Sequence, residues 1–189
     1  FAVPNLVFHK FEPREYLIFS IILFVLGACT GIVITLLSGP GLLIVGCIGI
    51  LLTALYSFFK FHALGDADIF VIFGVLTVLG TTYAITGTYI PEALVLSLPI
   101  GIVTVSVLHA NNTLDTETDR AAGIKTFAML IGLKASAILY CCYMVIPFLA
   151  VAVSVIAGWL HPCALLCLPA VIPAWKNLSQ ARKYETLGL

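Results

Sequence analysis

Three side chains in one short stretch, Asn111, Asp115 and Asp119, recur at every fourth position of the string Asn111-Asn112-Thr113-Leu114-Asp115-Thr116-Glu117-Thr118-Asp119-Arg120. On a helix this spacing puts them on one face, with Asn112 three residues before Asp115. Like charges at i, i+4 repel, so the row weakens an isolated helix. A cation between the carboxylates reverses that penalty. Hard oxygen ligands with open positions suit Mg²⁺, which commonly binds through one or two carboxylates and completes its shell with substrate phosphates. The same spacing fits a solvated loop capped by Asn and Asp, and spacing alone leaves both readings open. A second polar cluster runs Tyr56-Ser57-Phe58-Phe59-Lys60-Phe61-His62-Ala63-Leu64-Gly65-Asp66-Ala67-Asp68. Taken by themselves, Lys60 reads as a lysine snorkelling to a membrane interface and Asp68 as the N-cap of the helix that follows.

The elements that must hold these clusters are membrane spans. The 189 residues are 61% hydrophobic and 10% charged, with mean hydropathy +1.15, against about 25% charged in a soluble domain. Six uncharged runs stand out, roughly 17–37, 42–59, 69–90, 93–110, 135–156 and 159–175. Most reach the ~20 residues needed to cross a ~30 Å hydrocarbon core. The last is short and holds Pro162, Pro169 and Pro173. Ser38-Gly39-Pro40-Gly41 and the segment 87–91 supply turn chemistry between spans, and Pro13 precedes the first span, where its missing N–H costs nothing. None of the runs has the form of a cleavable signal peptide.

The charges are sorted by loop. All nine basic residues, Lys10, Arg14, Lys60, Arg120, Lys125, Lys134, Lys176, Arg182 and Lys183, lie before span one, between spans two and three, between four and five, or after six. The acids follow the same side except Glu92. Six spans put those segments on one face, which the positive-inside rule names cytoplasmic, and place both termini there. A wrong span count would scatter the charges over both faces. The six cysteines all lie in apolar runs without a Cys-x-x-Cys pair and read as small core residues. Gly27-x-x-x-Gly31 reads as a close-packing surface for a neighbouring helix, Trp159 and Trp175 as interfacial anchors of the last span, Pro99 as a bend in the fourth, and His109 as a satisfied polar residue. A six-helix transporter or channel would carry an ionisable residue at mid-membrane, and no run has one near its centre. The expected fold is all-α: one polytopic transmembrane helix bundle over residues 1–189.

Two strings, NNTLDTETDRAAGIKTFAMLIG and YSFFKFHALGDADIFVIFGVLTVLGTTYAITG, resemble the UbiA superfamily of intramembrane aromatic prenyltransferases, most closely its 1,4-dihydroxy-2-naphthoate branch in menaquinone biosynthesis. The first is similar to the family's second aspartate-rich motif. The second is similar to the segment between its fourth and fifth helices. The Pro-containing sequence after the lysine, typical of the 4-hydroxybenzoate branch, is absent. The resemblance covers nearly the whole chain, but helices three to eight of a nine-helix fold. The first two helices and the ninth are expected to be missing, and no Asn-Asp-x-x-Asp of the first motif occurs. The chain departs from the pattern at Leu114, where relatives often have Arg, and at Val75, where a Pro is usual.

The resemblance implies transfer of a polyprenyl group from polyprenyl diphosphate to 1,4-dihydroxy-2-naphthoate, giving a demethylmenaquinone precursor. Mg²⁺ would be held by Asp115 and Asp119 with Asn112 or Asn111, acting as a Lewis acid on the leaving group. Lys60 and Tyr56 would contact the diphosphate, with Arg120 and Lys125 as weaker candidates. Asp66 would sit near the acceptor as a base or orienting group. Tyr83 is a candidate for stabilising the allylic cation, weighed against a packed interfacial tyrosine. An apolar cavity would exclude water. The expected location is the cell's inner (cytoplasmic) membrane with the site loops cytoplasmic. The partners are the lipid bilayer and these two substrates, and no nucleic acid. The alternatives are another branch, with 4-hydroxybenzoate or another aromatic acceptor, and a non-catalytic fragment; residues 1–189 by themselves, with one carboxylate row only, are expected to be inactive.

Overall fold

The computed structural model describes residues 12–177 and 179. Lys10, Arg182, Lys183 and the expected placement of both termini lie outside these residues. The chain folds as a helical bundle: α1 (Pro13–Ser38), α2 (Gly41–Phe61), α3 (Gly65–Thr86), α4 (Pro91–Leu114), two short helices α5 (Thr116–Ala121) and α6 (Phe127–Ile131), then α7 (Leu133–Ile156). There is no strand among the described residues. The five long helices have the length and apolar composition to cross a membrane. Their outward faces, including Leu17, Phe19, Leu36, Ile85 and Ile156, are exposed apolar surface. In a bilayer that surface meets lipid.

Helix starts and turns follow local chemistry. Pro13 is the first residue of α1, and the Glu12 backbone N–H donates to the Glu15 carboxylate at 2.8 Å. Gly39, with φ 111, takes the chain out of α1. The α1–α2 turn is fastened to the α3–α4 turn: the Gly41 N–H donates to the Tyr83 hydroxyl (3.1 Å) and the Tyr89 hydroxyl donates to the Gly41 carbonyl (2.7 Å). Tyr83, buried and stacked on Tyr89 at 4.7 Å, is therefore a packing residue. It stands at the opposite end of the bundle from the polar clusters.

α3 changes pitch along its length. Between α-helical ends it holds a π-helical stretch, Phe70–Leu76, and the Thr77 hydroxyl donates to the Ile72 carbonyl five residues back (2.8 Å). Gly74 lies in this stretch and crosses α4 backbone to backbone. A Cβ on Gly74 would stand 2.7 Å from the Gly101 Cα, and one on Gly101 would stand 2.7 Å from the Phe70 ring. Only glycine on both sides permits that approach. α4 is the central helix and packs on α3, α6 and α7.

Four expectations change. The close helix contact is made by Gly74 and Gly101, whereas Gly27 and Gly31 have nothing within 4 Å because α1 has no buried residue. The cysteines are not core: Cys29, Cys47, Cys142, Cys163 and Cys167 are exposed and Cys141 half-buried. Lipid is as apolar as a core, so hydrophobicity alone does not assign a side. The sixth apolar run is not a sixth long helix. Its prolines give a 3-10 helix, Pro162–Ala170, followed by helical backbone at 171–177. Trp175 does not mark a span end, because it lies in an apolar groove beside Met144, Val145 and Leu149, half-way along α7.

Candidate active site

The turn from α2 into α3 builds one wall of the site. After Phe61 the chain passes through Ala63 in the left-handed region (φ 61), a position that costs a non-glycine residue about 1–2 kcal/mol. The Leu64 N–H reaches back to the Phe59 carbonyl at 2.9 Å. This reversal sets Asp66 and Asp68 in the first turn of α3, where the positive end of the helix dipole favours carboxylates. Thr126 builds the other wall. It is buried, its hydroxyl accepts the Met129 N–H at the start of α6 (3.4 Å), and Phe127 follows as the first helical residue.

Asp66, His109 and Asn112 form a buried cluster. The His109 Nδ1 lies 2.7 Å from Asp66 Oδ2, and the Asn112 amide donates to Asp66 Oδ1 at 3.2 Å. His109 is 0% exposed and Asp66 7%. An ionised carboxylate only accepts, so Nδ1 carries the proton it shares with Asp66. Tyr143 from α7 stands edge-on to the His109 ring (5.7 Å, 90°), and Phe127 lies 6.2 Å away. In front of this cluster is a cavity of about 390 Å³, with Asp66, Phe70, Val105, Phe127 and Tyr143 in its wall.

Tyr56 and Lys60 are half-buried, one turn apart near the end of α2. They lie at the end of α2 that leads into the turn carrying Asp66 and Asp68. The Asn111–Asp119 row keeps helical register across the α4–α5 junction: the Asp115 N–H donates to the Asn111 carbonyl and the Asp119 N–H to the Asp115 carbonyl, each at 2.8 Å. Asn111 and Asp115 are exposed and Asp119 half-buried, whereas Asn112 is buried against Asp66. Arg120 and Lys125 are exposed and form no ion pair among the described residues.

Asp68 is not an N-cap. Leu64 holds that position, and both Asp68 carboxylate oxygens are buried without a hydrogen-bond partner among the described residues. His109 is only half satisfied, since its Nε2 is also buried and unpartnered. The sequence signal for the Asp66–His109 pair was the polarity of two residues 43 positions apart, which nothing local connects. Tyr143 carried no signal, being one apolar-run aromatic among many, and Phe127 was marked only by its place in the string that follows the aspartate row.

No group of three or more His, Cys, Asp or Glu side chains able to hold a metal occurs among the described residues. The donors present nonetheless fit a hard cation shared with a phosphate ligand. Asp115 and Asp119 offer oxygens one turn apart at the open end of the bundle, the donor type and number Mg²⁺ takes from protein in such sites.

Residues 4–186 match the UbiA prenyltransferase family. The chain is similar to proteins named UbiA prenyltransferase domain-containing protein 1. That of Ailuropoda melanoleuca is 35% identical over 191 residues, covering 97% of this chain and 56% of the relative. The Homo sapiens protein is 37% identical over 156 residues, covering 79% of this chain and 46% of the relative. The Drosophila melanogaster homolog is 34% identical over 151 residues, with 76% and 42% covered. The chain thus spans about half the length of these curated relatives.

Proposed function

The chain belongs to the UbiA prenyltransferase family, and from that premise we propose that it serves the transfer of a polyprenyl group from its diphosphate to a hydroxylated aromatic ring, with 1,4-dihydroxy-2-naphthoate as acceptor and a demethylmenaquinone precursor as product. The observation that carries this reading is the position of Asp66. It is the carboxylate in the wall of a cavity whose other side chains, apart from the Tyr143 hydroxyl, are apolar, at the end of the bundle that also carries Tyr56, Lys60 and the Asp115–Asp119 row. The chain is an integral membrane protein. Its proposed location is the cytoplasmic membrane with this end on the cytoplasmic side.

Each residue has a task in that chemistry. The allylic carbon–oxygen bond breaks, the electron pair leaves with the diphosphate, and a ring π pair forms the new carbon–carbon bond; the ring then releases its carboxylate as CO₂, the bonding pair restoring the aromatic ring. Lys60 donates to diphosphate oxygens and the Tyr56 hydroxyl adds a second donor, both preorganised where charge develops. Asp115 and Asp119, with Asn111, would hold Mg²⁺, which when bound supplies charge neutralisation for the leaving group. Arg120 and Lys125 add exposed positive charge beside it. Asp66 has two of its roughly four lone-pair sites taken by His109 and Asn112, and the others remain for an acceptor hydroxyl. Accepting that proton raises electron density in the ring. Phe70, Phe127 and Tyr143 exclude water and present aromatic faces to the cation.

The test is radiolabelled prenyl transfer by the full-length protein in lipid nanodiscs with a long-chain polyprenyl diphosphate, with 1,4-dihydroxy-2-naphthoate and 4-hydroxybenzoate compared, each with Mg²⁺ and with EDTA. Lipid-extractable product from the naphthoate, lost in EDTA, is expected. Product from 4-hydroxybenzoate only would overturn the branch, and product from neither would overturn the reading.

A further inference from the structure

We infer that His109 is the positioning residue of the acceptor cavity: by fixing the Asp66 carboxylate from behind, it makes the cavity select aromatic rings that carry a hydroxyl donor. The inference rests on the proposed role of the cavity as an acceptor site. His109 is fully buried and is absent from the cavity wall, so it touches no acceptor itself. It meets three wall residues from three different elements: Asp66 of α3 at 2.7 Å, Phe127 of α6 at 6.2 Å and Tyr143 of α7 at 5.7 Å. Its own backbone is tied into α4, where the Thr113 hydroxyl donates to its carbonyl (2.7 Å).

The Asp66 contact is the consequential one. A free aspartate in the first turn of a helix samples several rotamers and turns toward water or toward backbone N–H groups. A short hydrogen bond from an imidazole to a carboxylate belongs to the stronger class, and Asn112 takes the second oxygen. With one bond on each oxygen, the plane of the carboxyl group is set by two side chains one turn apart on α4. The remaining lone pairs are then offered to the cavity in one orientation. Apart from the Tyr143 hydroxyl the other wall side chains are apolar, so a ring hydroxyl finds its charged acceptor in Asp66. A ring without one leaves the cavity-facing lone pairs of Asp66 without a donor, and a site built to bond a hydroxyl discriminates against an analogue that lacks it.

The probe is 2-naphthol, whose own fluorescence reports binding, compared with 2-methoxynaphthalene, which keeps the ring and loses the donor. The full chain in nanodiscs is titrated as wild type, His109→Asn, His109→Leu and Asp66→Asn, and thermal unfolding checks each variant. Asn preserves an N–H donor near the Nδ1 position and Leu preserves bulk only. Wild type is expected to prefer 2-naphthol by roughly tenfold or more, as a hydrogen bond to a charged group allows. His109→Leu and Asp66→Asn should abolish the preference, His109→Asn should restore most of it, and the double variant His109→Leu/Asp66→Asn should be no worse than Asp66→Asn alone. In turnover, His109→Leu should raise the acceptor KM and leave the polyprenyl diphosphate KM unchanged. Wild-type preference in folded His109→Leu overturns the inference. So does equal loss in Asn and Leu variants, or a rise in the diphosphate KM. If His109→Leu does not fold, His109→Met is read by the same criteria. Absence of any prenyl transfer with the naphthol pattern intact would sink the catalytic reading alone. Transfer without the pattern would sink this inference alone.

Discussion

The carboxylates of this bundle divide into kinds that ought to respond differently to substitution. Asp115 is exposed and Asp119 half-buried, and neither side chain supports the packed helices. Asp115→Ala and Asp119→Ala should therefore leave thermal unfolding in detergent nearly unchanged while lowering prenyl transfer by roughly 10²–10³, the scale for removing a transition-state charge stabiliser. Near wild-type turnover at saturating Mg²⁺ would reject the ligand assignment. Asp68 is the opposite case: a buried carboxylate whose oxygens have no partner among the described residues. Such a group is destabilising by about 1–3 kcal/mol or more. Asp68→Asn should raise the unfolding temperature, because it removes the buried charge. An unfolding temperature below wild type would mean that Asp68 is paired in the folded membrane protein after all. The sequence made the first kind legible, because a four-residue period of acids is a local pattern. It hid the second, since Asp68 next to a helix start reads as a cap until Leu64 is seen in that position.

At the level of elements, the α3–α4 crossing decides whether the residues of the site meet. Asp66 comes from the first turn of α3 and His109 from α4, and between the two contacts and the far end lies the Gly74–Gly101 approach. A methyl on Gly74 would meet backbone, which cannot swing aside, whereas one on Gly101 would meet the Phe70 ring as well as the Gly74 Cα at 3.2 Å. Gly74→Ala and Gly101→Val should each cost about 1–3 kcal/mol by overpacking. They should also lower turnover, because the helices separate on the side that joins Asp66 to His109. Gly41→Ala is the control at the other end: its Cβ would stand 2.5 Å from the Tyr83 ring, so it should destabilise comparably and leave the acceptor KM intact. Equal acceptor KM values for all three variants and wild type would detach the crossing from the site. Span positions were readable from hydropathy, and the end of α4 near Asn111 followed from the same pattern. The crossing was not readable. The sequence offers Gly27-x-x-x-Gly31 as the more conspicuous small-residue pair, and Gly74, within the π-helical stretch at 70–76, carries no compositional mark of its contact with α4.

The whole molecule is polarised along the membrane normal. One end holds the α1–α2 and α3–α4 turns, bound together through Gly41, Tyr83 and Tyr89, and among the described acids and bases of the loops only Glu92 belongs to it. The other end gathers Arg14, Lys60, Arg120, Lys125 and Lys134 together with Asp66, Asp68, Asp115 and Asp119. The one-sided charge was visible in the sequence before any helix was placed, and the five long helices reproduce the alternation it requires up to Ile156. The end that carries the basic residues should face the cytoplasm, where, on the proposed function, the acceptor and the diphosphate headgroup would enter while the prenyl tail stays in lipid. Accessibility labelling decides this in intact cells, in a background with the six native cysteines replaced, since five of them are exposed on helix faces. Thr88→Cys lies exposed in the α3–α4 turn and Thr118→Cys lies exposed on α5. A membrane-impermeant maleimide should label Thr88→Cys in intact cells, and Thr118→Cys only after the membrane is opened. Ala63 would be a poor reporter for the same face because it is buried in the cavity wall. Labelling of Thr118→Cys from outside would invert the bundle, placing the Asp115–Asp119 row and Lys60 away from the cytoplasmic substrates and removing the proposed function with it.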